Sequence, residues 1–193
     1  MIYFVVYILL VVVVRIDYIC VMDSNSICDK CAYKIIAGKN HNIPSLGNVN
    51  CGSFIILPNT GFDRDLSKSE SVQMINDAHR QLYGVDVWER YYITALARCP
   101  TDKTFPINSD IYMRCYEHLR KDLLEGKPRK FMMFGQAAAK LLGIYPNRNR
   151  QIVREPSGSI FIVNYNPAII RYEGMKDIFV HKLIDGFQLL YNL

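Results

Sequence analysis

The chain has 193 residues, half of them hydrophobic and 21% charged, which suits one globular domain and excludes a disordered or fibrous chain. Six cysteines are too sparse at this length for a disulfide scaffold. A net charge of +5 is compatible with a polyanionic partner without demanding one.

The first element in chain order is an apolar run, Met1 to Val14, interrupted by Arg15 and resumed from Ile16 to Met22. The uninterrupted part is shorter than the roughly 20 residues of a membrane span. No positive charge precedes it, as one would in a secretory signal. Three readings stand: an anchor stretched past Arg15, an extra strand or helix packed on the domain, or upstream sequence read from an early start codon. The third is the working expectation, because Met22-Asp23-Ser24 reads as a natural start. It makes residues 1–21 an apolar extension and residues 22–193 the domain, in a reducing, cytoplasmic setting.

Ser24 to Gly52 is rich in Asn, Gly, Lys and Cys and weakly periodic, and predicts an irregular, ligand-stapled segment. Ser53 to Leu57 predicts a buried strand ending in the Pro58-Asn59-Thr60-Gly61 loop. Val72, Ile75, Ala78, His79 and Leu82 mark a helix over 69–83 stopped at Gly84. Tyr91 to Leu96 predicts a second strand. A helix capped by Asn108 or Ser109 follows, with Ile111, Tyr112, Cys115, Leu119 and Leu123 along it and Gly126 at its end. Phe131 to Phe134 predicts a third strand, and Gln136 to Leu142 a helix closed by Gly143. Residues 151–154 and 159–163 read as a hairpin, or as an edge strand followed by a core strand. A loop over 164–171 and a last helix over 175–191 complete the pattern. Strands alternating with helices predict an α/β sandwich with a largely parallel sheet. The loops after Leu57, Leu96, Phe134 and Val163 then open along one edge. His79, His118 and His181 fall in helices and read as structural or exposed.

Four cysteines stand apart. Cys28 and Cys31 form Cys-x-x-Cys, Cys99 directly follows a strand, and Cys115 lies on the next helix. Four thiolates from these places suit either tetrahedral zinc or a cubane cluster, and spacing does not choose between them. Cys20 and Cys51 read as small buried hydrophobes.

In order along the chain, Cys28-x-x-Cys31, Leu57-Pro58-Asn59-Thr60-Gly61, the strand ending Ala97-Arg98-Cys99-Pro100, Cys115, Gly135-Gln136-Ala137-Ala138-Ala139-Lys140-Leu141-Leu142-Gly143 and Asn166-Pro167-Ala168 resemble the motifs of the iron–sulfur uracil-DNA glycosylases. The resemblance runs from about Ile27 to the C-terminus. It implies a three-layer sandwich around a central, mostly parallel four-stranded sheet, and a [4Fe–4S] cluster rather than zinc on Cys28, Cys31, Cys99 and Cys115. It also implies a monomeric enzyme that acts on DNA without a small-molecule cofactor in its chemistry and without a membrane partner.

The site motifs depart from that branch. Pro58 stands where the family carries Glu, and Asn166 where it carries His. Asn59 and Asn166 instead resemble the Asn residues of the mismatch-specific branch. Ala95 occupies the position at which the iron–sulfur branch reads uracil with Asn, and the segment whose Phe stacks on the base is replaced by Phe62 alone. A glycosylase flips a nucleotide out of the stack and cleaves its N-glycosidic bond through an oxocarbenium-like state. The resemblance makes Asn166 the donor to the negative charge developing on the base, and makes Asn59 the acceptor that orients water. An Asn/Asn site of this kind is expected to be slow, because an amide is no real base. Phe62 would stack on the base, Arg171 and Lys140, with Arg148 and Arg150, would contact phosphate, and Ile169 with Ile170 would form an apolar wedge. The alternative is a protein of the same fold that binds DNA without catalysis. Both Asn residues also suit their turns on backbone grounds.

Overall fold

In the computed structural model the described residues are 24–29, 31, 33–34, 42–61, 64–100, 109–141, 143–144 and 152–193. The apolar extension at 1–21, Phe62, Asn108, Arg148 and Arg150 lie outside them.

Five strands build one sheet: β1 (Ser53–Asn59), β2 (Tyr92–Ala97), β3 (Lys130–Phe134), β4 (Ile152–Arg154) and β5 (Ile160–Asn164), in the order β2-β1-β3-β5-β4. β1 pairs in parallel with β2 and β3, and β3 with β5, while β4 pairs antiparallel with β5. The sheet therefore has five strands where four are expected. The fifth is β4, held by backbone pairing on the outer side of β5, with Ile152 opposite Ile162. Its side chains are half-buried or exposed, in keeping with the edge strand expected over 151–154, and only the four-stranded count implied by the resemblance leaves it out.

The helices are α1 (Ser24–Asp29), α2 (Glu70–Tyr83), α3 (Ser109–Gly126), α4 (Gln136–Leu141) and α5 (Met175–Asn192). Strand side chains alternate between two faces, as the pleat requires. Ile55, Leu57, Ile93, Met132, Phe134 and Ile162 meet Val72 and Ile75 of α2 and Phe179, Leu183 and Phe187 of α5. Phe54, Ile56, Leu96, Phe131, Met133 and Val163 meet Leu119 of α3 and Ala139 of α4 on the other face. The result is a three-layer α/β sandwich with both faces of a mostly parallel sheet covered. The crossover from β1 to β2 lies on one face. Those running the opposite way across the sheet lie on the other, as a single crossover hand demands. The direction changes between β1 and β3, which is where such sheets open a crevice beyond the strands' carboxyl ends.

The described residues of segment 24–52 include regular structure that its composition does not suggest. Ser24–Asp29 is helical and packs on α3. Leu46 bridges Ile93 through two backbone hydrogen bonds of 2.9 and 2.8 Å, which covers the outer edge of β2. Pro58 is tolerated within β1 because the register with β3 ends at Ile56, so no ladder donor is needed beyond it on that side.

Candidate functional site

A cleft of about 220 Å³ opens at the carboxyl ends of the strands. That is the scale of a fragment such as one nucleobase, below the ~300 Å³ at which drug-sized pockets begin. Its wall comes from the end of β1 (Leu57, Pro58, Asn59, Gly61), the start of α2 (Ser69, Glu70, Ser71) and the turn after β5 (Asn166, Pro167, Ala168, Ile170, Arg171). Asn59 and Asn166, 107 residues apart in sequence, thus share one site.

The two amides are held differently. Asn59 Oδ1 accepts the Gly61 N–H at 3.0 Å, an Asx turn that folds the loop back on itself. Its side chain is also hydrogen-bonded to Tyr112, whose phenol is raised by burial, with that bond acting in the opposite sense. Asn59 is thus held through its Oδ1, and the second lone pair of that carbonyl is what it can offer a water. Asn166 caps the 3₁₀ turn Pro167–Arg171, its Oδ1 accepting the Ala168 N–H at 3.0 Å with Pro at the first turn position. That bond fixes which end of the amide is oxygen. Its Nδ2 has no partner among the described residues, and the side chain is exposed. Gly135, at φ +80°, lies against it: a Cβ there would stand 3.4 Å from Asn166 Cβ.

The other expected site residues divide. Arg171 is exposed, lines the cleft and forms no ion pair among the described residues. Lys140 is exposed in the last turn of α4, away from the cleft wall. Ile169 and Ile170 are half-buried against the core, and Ile170 also lines the cleft. Ala95 is buried in the same core and offers no polar atom to a base. The exposed apolar groups beside the Asn166 loop are instead Tyr165 and Tyr172, 42% and 71% exposed. Glu70 is the one carboxylate on the cleft wall among the described residues. Its place in sequence marks a helix first turn, where acids are common, and only the fold turns that end of α2 toward the two Asn loops.

A second cavity is lined by Cys28, Cys31, Cys99 and Cys115 together with Ile27, Lys34, Arg114 and His118. The four cysteines are buried and free of disulfides. α1 and the turn after it bring Cys28 and Cys31, with Cys31 N donating to Cys28 O at 3.0 Å. The end of β2 brings Cys99, and α3 brings Cys115. Burial pushes the Cys28 thiol up, Cys99 and Cys31 add to it, and Lys34 opposes. Burial raises Cys99 likewise, with Cys31 contributing. Cys115 is pushed up to about 12, first by burial and then by the other three cysteines. Cys28, Cys99 and Cys115 each feel neighbouring thiols, so ionising them is costly unless a cation compensates. Among the described residues no three His, Cys, Asp or Glu side chains are gathered as a single metal ion would need. The donor set itself, four unpaired thiols on one cavity wall, has the chemistry of cubane ligands, in which each iron takes one thiolate. Cys51 is elsewhere, its thiol donating to Ser53 O at 3.1 Å.

A buried polar network locks β2 to α3 beside this cavity. Arg98 pairs with Asp122, and Arg98 Nη2 also reaches Thr94 Oγ1 at 2.9 Å. Ser45 donates to Thr94 at 2.9 Å. Burial raises the Asp122 carboxyl, and Arg98 opposes the shift. Arg98 directly precedes Cys99, and Asp122 lies two turns beyond Cys115 on α3, so the pair sets the spacing of two sulfur-bearing elements.

The chain matches no family model and no curated protein. Among the described residues no helix is long and apolar enough to cross a membrane.

Proposed function

We propose that this protein is a DNA glycosylase of the uracil-DNA-glycosylase fold. It removes uracil or a related deaminated or mismatched base, and carries a [4Fe–4S] cluster on Cys28, Cys31, Cys99 and Cys115. The observation that carries the reading is the strand-end cleft that unites Asn59 with Asn166, whose amide presents an unpaired NH2 beside it.

On this reading the flipped nucleotide enters the cleft and its C1′–N bond breaks, the electron pair passing to the leaving base. Asn166 Nδ2 donates to the base oxygen that gains negative charge, a preorganised contact of the kind worth roughly 3 kcal/mol. Water adds to C1′, oriented by the remaining lone pair of Asn59 Oδ1, and its proton passes to Glu70, the carboxylate of the wall. Arg171 at the rim, and Lys140 farther out, meet phosphate, so binding weakens with salt. The cluster, when bound, would order segment 24–52 and the Cys99 loop rather than take part in bond cleavage.

A second reading, a catalytically silent DNA-binding protein, draws on Asn59, whose carbonyl is already engaged by its own turn. Base release from oligonucleotides carrying uracil opposite guanine or adenine separates the two. The proposal expects slow release that Glu70→Gln reduces at least tenfold. DNA binding with no release from any deaminated or mismatched substrate would leave only the second reading.

A further inference from the structure

We infer that His118 donates its Nε2–H to the sulfur of Cys28 and thereby sets the reduction potential of the cluster. The inference rests on the iron–sulfur reading of the cysteine cavity and goes beyond it, because that reading gives the cluster an ordering role only.

The geometry comes from two elements far apart in the chain. His118 lies on α3, three residues beyond Cys115, and is 2% exposed. Its Nε2 is 3.3 Å from Cys28 Sγ, across 90 residues of sequence. α1 packs on α3, so the contact follows from how these two helices dock. His118 is also on the wall of the cavity that all four cysteines line. A histidine that served packing alone would have no need to aim a ring nitrogen at a sulfur.

A metal-bound thiolate carries no proton and can only accept a hydrogen bond, so the imidazole must be the donor in this pair. An N–H directed at a ligand sulfur draws electron density from it and favours the state with one more electron. Hydrogen bonds to sulfur are among the main controls on iron–sulfur potentials, together with net charge and exposure. The site is buried, which strengthens the interaction. The rest of the wall points the same way. Arg114 adds a cationic side chain on the wall, which also favours the more negative, reduced cluster, while the charge of Lys34 is paired with Asp29.

The test uses the full chain, purified without oxygen, with the cluster reduced stepwise by dithionite and followed by electron paramagnetic resonance. His118→Leu removes the donor, and His118→Gln keeps an N–H of similar reach. At unchanged iron content, His118→Leu is expected to lower the reduced-to-oxidised ratio at a given potential about tenfold, 59 mV for a one-electron couple. His118→Gln is expected to stay close to the wild type. The wild type labelled with 15N-histidine is expected to show a weak nitrogen coupling to the reduced cluster, which covers the case in which His118→Leu does not assemble. Iron-loaded protein with no histidine coupling, or with equal potentials in the wild type and His118→Leu, overturns the inference and leaves the cluster reading standing. A wild type that binds no iron overturns both.

Discussion

Substituting Asn166 separates two jobs that its side chain performs with different atoms. Oδ1 caps the 3₁₀ turn through Ala168 N, and Nδ2 is the proposed donor to the leaving base. Asn166→Ala removes both. Loss of an N-cap costs about 1 kcal/mol of stability, and loss of one charge-stabilising donor costs about 2.7 kcal/mol in the transition state, or roughly a hundredfold in rate. Asn166→Asp keeps an oxygen for Ala168 N, so its stability should match the wild type. It replaces the donor with a negative charge facing a developing anion, so its rate should fall at least as far as that of Asn166→Ala. The assay is single-turnover release of uracil from a labelled duplex, with alkaline cleavage of the abasic strand and a thermal melt on each variant. The expected order of rates is wild type, Ala, Asp, and the expected order of stability is wild type equal to Asp, then Ala. A stable Asn166→Asp enzyme with the wild-type rate would refute the assignment of Nδ2 while leaving the fold untouched.

Three further outcomes follow from the same geometry. Anaerobically purified protein should be brown, with about four irons per chain. Ser at Cys28, Cys31, Cys99 or Cys115 should abolish or halve the iron, and Cys51→Ser should leave it unchanged; a colourless protein with one stoichiometric zinc would refute this. Asp122→Ala strands the Arg98 guanidinium, whose Nε already has no partner among the described residues. It should cost about 3 kcal/mol in urea unfolding and lower iron retention, and an unchanged midpoint would show that the pair is dispensable. His79 is buried, with Nδ1 on Val85 O at 2.8 Å and rings of Tyr83, Tyr91 and Phe187 around it. Burial holds its pKa below 6.5. The native state then binds fewer protons than the unfolded chain below that value. Stability is full above about pH 6.5 and falls on acidification by up to ~1.4 kcal/mol per pH unit. His79→Gln should flatten that slope in urea melts at pH 7.5, 6.5 and 5.5, and an unchanged slope would assign the acid sensitivity to other groups.

What the sequence by itself determined is the local structure of the core. Periodicity placed α2 to α5 and the parallel strands within a residue or two, because each buries a stripe whose spacing is written in adjacent residues: Val72, Ile75 and Ala78 on α2, Phe54 to Leu57 on β1. The loops at the strand ends, with Asn59 and Asn166 in them, were legible for the same reason. β4 was legible as an edge strand over 151–154, and the exception was α1, a short helix inside a segment whose weak periodicity reads as irregular. Only the tertiary structure decided which distant groups meet. Glu70 falls in the first turn of a helix, and only the docking of α2 puts it on the cleft wall; the 3₁₀ turn after β5 sets Ile169 partly against the core. His118 shows this most plainly. Its helical position was readable, but its neighbour Cys28 is 90 residues away, and that contact is created by the docking of α1 on α3, which no local pattern encodes.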